Sequence, residues 1–225
     1  MKSLYIEGKT LIGGEIIDIR MWSERPNRLR VESSMGARKV TQIYDGRHEP
    51  VIQHTEVEGG RPMRMTPGER RDFITNADFD GPLVDFAAKG NSVDYAGDEV
   101  VNGSPAKKLL VMGAQGDVFF VWVDAKTFEM VKRGVFRTAN DKRVLIETIF
   151  GDFREVAGSL QPHRIETKIG TRSIYLMVLT RMVANIAAAP ELFTVPEKWP
   201  LLPVEFKSES AGAPAAPAAP AGLNH

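Results

Sequence analysis

The chain has 225 residues, with 29 basic and 29 acidic side chains. A net charge of zero leaves no electrostatic footprint for nucleic acid and does not favour an acidic lipid surface. The absence of cysteine excludes a disulfide framework, thiolate metal sites and a lipidated N-terminal cysteine, and the length fits one large β-rich domain.

Strand signals dominate from the start. Leu4–Leu11 and Glu15–Trp22 flank Gly13-Gly14, a tight hairpin signal. In the second of these, Ile17, Ile19 and Met21 alternate with Asp18, Arg20 and Trp22. After Arg25-Pro26, Leu29 and Val31 alternate with Arg28, Arg30 and Glu32. Period two means one wet and one dry face, so an antiparallel, half-buried sheet is expected. Its dry face needs a helix or an apolar ligand as cover. Arg28–Ser33, Lys39–Tyr44 and Pro50–Val57 extend the meander, with a strong turn at Asp45-Gly46.

The pattern then changes. Thr66-Pro67-Gly68-Glu69 carries a capping box with proline at the first helical position, predicting a short helix to about Asn76. A second helix is predicted over Pro82–Lys89, with Asp78, Asp80 and Asp85 near its start, where carboxylates meet the helix dipole favourably. Phe73, Ile74, Leu83, Val84 and Phe86 supply apolar contacts for these helices.

Strands resume at Ser92–Ala96, Ala106–Met112, Asp117–Asp124, Val131–Thr138, Arg143–Phe153, His163–Ile169 and Ser173–Val183. That makes about a dozen strands with two inserted helices. Both faces of Val118–Val123 are apolar, so this strand is either covered on both sides or exposes an aromatic patch at Phe120 and Trp122. Leu192–Pro196 is expected to close the core. Residues 1–206 are read as the folded domain and 207–225 as an extended Ala/Pro-rich tail.

Several phrases carry a family resemblance in order and spacing. They are KSLYIEGK, ERPNRLRVE, YDG at Tyr44–Gly46, ADFDGPLVDFAAKG, VNGSPAKKL, VDAKTF, FGDFREVAG and QPHRIET. Over Lys2–Pro196 the chain resembles the LolA-like superfamily, specifically the outer-membrane lipoprotein-sorting proteins. The resemblance implies a mainly β (α+β) fold, a strongly curved, unclosed antiparallel β-barrel with short helices covering its concave face. It implies a non-catalytic carrier or binder of acyl chains in lipoprotein or lipid trafficking to the outer membrane. Partners would be acyl chains of lipoproteins or phospholipids, with envelope transport proteins as donors and acceptors. No cofactor or metal is implied. A periplasmic location follows from the resemblance alone, because MKSLYIEGKTLIGG lacks the features of a signal peptide. The signal peptide and first helix of such relatives would precede Lys2-Ser3, and their absence here is read as a shortened chain, a misplaced start or a more open groove. The same fold also serves envelope sensing, which makes a regulatory protein-binding module the alternative.

The apolar cavity is assigned to Ile17, Ile19, Met21, Leu29, Val31, Phe73, Leu83 and Phe86. Arg25 matches the arginine that latches the lid in carrier members; otherwise it caps a turn or forms a surface ion pair. Nine methionines, Met21, Met63, Met65, Met112, Met177 and Met182 among them, suit an adaptable cavity or an ordinary core. Catalysis finds little footing. The histidines His48, His54, His163 and His225 are scattered, and no nucleophile elbow or phosphate loop is present in the sequence. A hydrolase or transferase using the cavity as its pocket is the third reading. Ile174–Ala189, interrupted by Arg181 and Asn185, does not make a comfortable membrane span, and a soluble protein is expected.

Overall fold

The computed structural model describes residues 1–56, 60–114, 116–139 and 142–195; the Ala/Pro tail lies outside them. Six strands come first: β1 Ser3–Ile12, β2 Glu15–Glu24, β3 Arg28–Met35, β4 Arg38–Tyr44, β5 Val51–His54 and β6 Pro62–Arg64. Helix α1, Pro67–Ala77, follows. Then come β7 Ser92–Val101, β8 Ser104–Met112, β9 Val118–Asp124, β10 Met130–Ala139, β11 Lys142–Val156, β12 Ser159–Ile169 and β13 Arg172–Ala184. A short 3-10 helix, Pro190–Phe193, ends the described chain. The thirteen strands form one open sheet in the order β6-β5-β4-β3-β2-β1-β13-β12-β11-β10-β9-β8-β7. It is antiparallel and does not close on itself. No described helix is long and apolar enough to cross a membrane.

The described chain divides into two compact units, Met1–Phe79 with residues 179–195, and Asp80–Val178. In the first unit, cross-strand pairing sets Ile6 opposite Met21, Met21 opposite Val31 and Val31 opposite Gln42. Leu4, Ser23, Leu29 and Tyr44 form the next row. Leu4, Ile6, Met21, Leu29 and Val31 are all buried, as the period-two alternation requires. Arg30 stands on the opposite face, in a row with Tyr5, Trp22 and Ile43. The 3-10 helix reaches that face, where Arg30 Nη1 donates to the Leu192 carbonyl at 3.1 Å and Phe193 is buried. Of the stretch Leu192–Pro196 expected to close the core, Phe193 is buried, on the face opposite the Leu29 and Val31 row, while Pro196 lies outside the described residues.

Helix α1 starts as its sequence dictates. Thr66 Oγ1 accepts from the Glu69 amide at 3.3 Å, and Glu69 Oε2 accepts from the Thr66 amide at 2.9 Å. Phe73 and Ala77, one turn apart, are its buried residues.

The second predicted helix does not form. Residues 79–90 are consecutive turns instead. Asp85 adopts a left-handed φ of 50°, which ends any helical repeat in the middle of the segment. The carbonyls that would begin the helix are taken by side chains: Lys89 Nζ donates to Gly81 O at 2.7 Å and Asn91 Nδ2 to Pro82 O at 3.1 Å. Asp78, Asp80 and Asp85 accordingly mark no helix start, and Asp78 is the C-cap of α1.

Strand limits also shift. Of the predicted Pro50–Val57 strand, the described residues form β5 at Val51–His54, Val57 lying outside them, and β6 is an addition that the sequence reading lacks. β11 and β12 run on to meet at Ala157-Gly158, with φ of 51° and 81°. Two positive φ values suit a primed hairpin turn, but Ala-Gly lacks the Asn-Gly or Asp-Gly signature that marks one. β7 continues past Ala96 through a register shift to Val101.

Candidate functional site: an apolar sheet face and its clasp

Within the first unit the structure gathers Ile19, Met21, Leu29 and Val31 on one buried sheet face, and Phe73 is buried on α1. Ile17, opposite Thr10 near the hairpin end, is half-buried. Leu83 and Phe86 belong to the second unit, on the turns that replace the predicted helix. Leu83 is half-buried and Phe86 is 40% exposed.

Three of the sequence landmarks meet around one turn. Arg25-Pro26-Asn27 joins β2 to β3. The Pro26 carbonyl accepts from the Phe79 amide at 3.0 Å, and the Arg25 guanidinium lies over the Phe79 ring, 5.2 Å from its centroid. Such a stack is worth about 0.5–1 kcal/mol or somewhat more when desolvated. Phe79, two residues beyond α1, is buried. Gly46 approaches the same turn so closely that a Cβ there would sit 2.3 Å from Asn27 Oδ1, and its φ of +85° also demands glycine. The phrases ERPN, YDG and ADF are thus one clasp at the exit of α1. A backbone bond from the Arg25 amide to Lys2 O at 3.1 Å ties the clasp to the start of β1.

The other end of α1 is held by charge. Arg70 makes a bidentate pair with Glu49 in the β4–β5 turn, its Nη2 reaching Oε1 at 2.8 Å. Next to it, Asp45 Oδ1 accepts from the Arg47 and His48 amides at 2.9 and 2.8 Å, and Oδ2 meets His48 Nδ1 at 2.5 Å. Burial alone would raise the Asp45 carboxyl, but these partners outweigh it and hold the group below its ordinary value. His48 thus orders a turn. His163 is buried on β12, with Nδ1 2.9 Å from the Gln161 carbonyl. Among the described residues no group of three His, Asp or Glu side chains is placed to hold a metal.

Two elements of this arrangement escape sequence reading. Phe79 carries no periodic signal, because it follows the helix it secures. The Asn27–Gly46 approach joins residues far apart in the chain. A glycine in a Tyr-Asp-Gly turn announces its φ but not the neighbour pressed against it.

The second unit resolves the question of the apolar strand. Phe119 and Val121 are buried on one face of β9 and Trp122 on the other, where it is only 2% exposed. Trp122 pairs across to Lys108 and Lys132, whose ammonium groups lie 5.1 and 4.2 Å from its ring. Its Nε1 donates to Glu99 Oε2 at 2.7 Å. Lysine stems therefore cover the indole while their charges stay paired with Glu99 and Glu147, at 2.7 and 2.5 Å. Gly134 leaves room for the ring, since a Cβ there would come within 3.1 Å of it.

No family model matches this chain, and no curated protein does. Solved structures do. A DUF1329 family protein from Desulfovibrio piger superposes with a TM-score of 0.64 at 12% identity, over 86% of this chain and 90% of that one. A LolA superfamily protein from Nitrosomonas europaea gives 0.59 at 15% identity, with the same 86% and 90% coverage. A structure described as an outer membrane lipoprotein-sorting protein domain, from Vibrio parahaemolyticus, gives 0.61 at 10% identity, over 85% and 89%. At such identities what is shared is architecture, and the open thirteen-stranded sheet of this chain has the LolA-like fold.

Proposed function

We propose that this chain is a non-catalytic binder of acyl chains, acting in the periplasm in lipoprotein or lipid traffic toward the outer membrane. The observation that carries the reading is the buried apolar face of Ile19, Met21, Leu29 and Val31 in a fold shared with a structure described as lipoprotein-sorting. Because that face is buried, an acyl chain must replace protein cover to reach it. We assign the cover to α1, whose Phe73 is buried and whose ends are held by polar and stacking contacts at turns.

The energetics suit exchange. Burying an acyl chain is worth about 0.8 kcal/mol per methylene. Exposing one aromatic side chain such as Phe73 costs roughly 1.5–3 kcal/mol. A long chain therefore displaces the cover, and return of the cover assists release. Arg25 and Phe79 act as the latch that sets this balance. Ile17 forms the rim of the same face.

The test is titration with a fluorescent fatty-acid probe, alongside native mass spectrometry of the purified protein for bound lipid. Ile19→Asp places a carboxylate on the face and is expected to weaken the probe at least tenfold, with the β-sheet circular dichroism retained. Ile17→Asp, at the half-buried rim, is the milder second variant should Ile19→Asp fold poorly. Wild-type binding that both variants leave unchanged sinks the proposal and favours the regulatory protein-binding module.

A further inference from the structure

We infer that the tip of the β1–β2 hairpin, in the first unit, docks on the interfacial layer of a lipid bilayer without regard to headgroup charge. The tip reads Leu11-Ile12-Gly13-Gly14-Glu15-Ile16-Ile17, four branched aliphatics around two glycines and one carboxylate. Leu11 stands directly opposite Ile16, and the two are 45% and 62% exposed. Strand alternation sends Ile16 to the opposite side from Ile17 and Ile19, so this pair is no part of the proposed acyl face. Single exposed aliphatics are ordinary; a cross-strand pair on the last rungs of a hairpin is a contiguous apolar tip.

The backbone suits entry into headgroups. Pairing runs out to Ile12 opposite Glu15, and Gly13 and Gly14 close the turn with φ of 59° and 88°. A two-residue turn of this kind leaves almost no amide or carbonyl unpaired, which is the condition for backbone to approach hydrocarbon.

Charge and size decide the occupant. Within the first unit, Lys9 pairs with Asp18 at 2.9 Å on the same face as Leu11 and Ile16. On the β3–β4 hairpin, Arg38 pairs with Glu56 at 2.8 Å and Lys39 is exposed. With Glu15 the cations and anions balance, so nothing here selects an anionic surface. The other end of these strands is polar, its turns carrying Arg25, Asp45, Arg47, His48 and Glu49. Two side chains also fall far short of a stable dimer or partner interface, which buries about 800 Å² on each side. A bilayer demands no shape match and accepts so small a tip. Affinity should lie below the about 10⁴ M⁻¹ of a single myristoyl chain, a contact that releases readily.

The experiment is flotation of the purified chain with phosphatidylcholine vesicles at millimolar lipid. Binding is expected, and neither added phosphatidylglycerol should strengthen it nor high salt abolish it. Leu11→Ser with Ile16→Ser should weaken it about tenfold or more. Fatty-acid probe affinity of that variant should match wild type, so a failure here is separable from a failure of the acyl-binding proposal. Because the chain has no cysteine, a polarity-sensitive dye can be placed at a single site. On Glu15→Cys its emission should shift to the blue with vesicles; on Lys126→Cys, in the β9–β10 turn, it should not. No flotation, flotation that requires anionic lipid, or a blue shift absent at Glu15→Cys or equal at Lys126→Cys overturns the inference. So does unaltered flotation of the double variant, or a dimer in solution that the same substitutions dissolve, because the tip would then belong to a second copy.

Discussion

The two units bury their apolar side chains in different settings. In the first, apolar rows on β1 to β3 are buried, and helix α1, the cover proposed for them, is held near its ends by Arg70 with Glu49 and by the Arg25–Phe79 stack. In the second, the indole of Trp122 is sealed by side chains of the sheet itself, between two cross-strand lysines that are pinned by Glu99 and Glu147. A cover made of neighbouring side chains cannot leave without breaking the sheet register. A cover made of a short helix can leave once a few turn contacts let go. On the function proposed above, permanence and exchangeability would fall in different parts of one sheet.

The sharpest way to break this comparison is to attack the permanent cover. Trp122→Ala is expected to cost about 3–5 kcal/mol of stability, as deletion of a buried aromatic does, measured by urea denaturation. A cost near that of a surface substitution would mean that the lysine-covered face is not core. The releasable cover should respond differently. Arg25→Leu removes the stack on Phe79 and should lower stability by only about 0.5–1 kcal/mol, while speeding exchange of the fatty-acid probe in stopped-flow displacement. Unchanged exchange would remove Arg25 from the latch. The smallest effect concerns pH. The Lys108 hydrogen bond, with that of Trp122, holds the Glu99 carboxyl below its ordinary value of 4.5. The stability this contributes is present above 4.5 and is lost as pH falls through the lower folded-state value. Wild type should therefore lose its melting-temperature advantage over Glu99→Gln on acidification below 4.5, and a constant difference across that range would contradict it.

The sequence reading succeeded where physics is local. The dry face of Ile19, Met21, Leu29 and Val31 was legible because strand geometry sends alternate side chains to opposite sides. The start of α1 was legible because Thr66 and Glu69 satisfy each other's backbone amides within one turn. Gly13-Gly14 was legible because few residues tolerate its φ values. Local reading failed at Pro82–Lys89, where apolar spacing suggested a helix but Lys89 and Asn91 claimed the carbonyls that a helix needs.

Along the chain, then, composition and periodicity determined the strands, their wet and dry sides and the one helix with a complete cap, since each depends on residues within a few positions. Only the tertiary structure decided that Arg25 would rest on Phe79, that Asn27 would press on Gly46, and that Trp122 would be roofed by Lys108 and Lys132. Those contacts join residues separated by whole strands. Their partners are chosen by register and chain path, and these emerge only when the sheet has assembled.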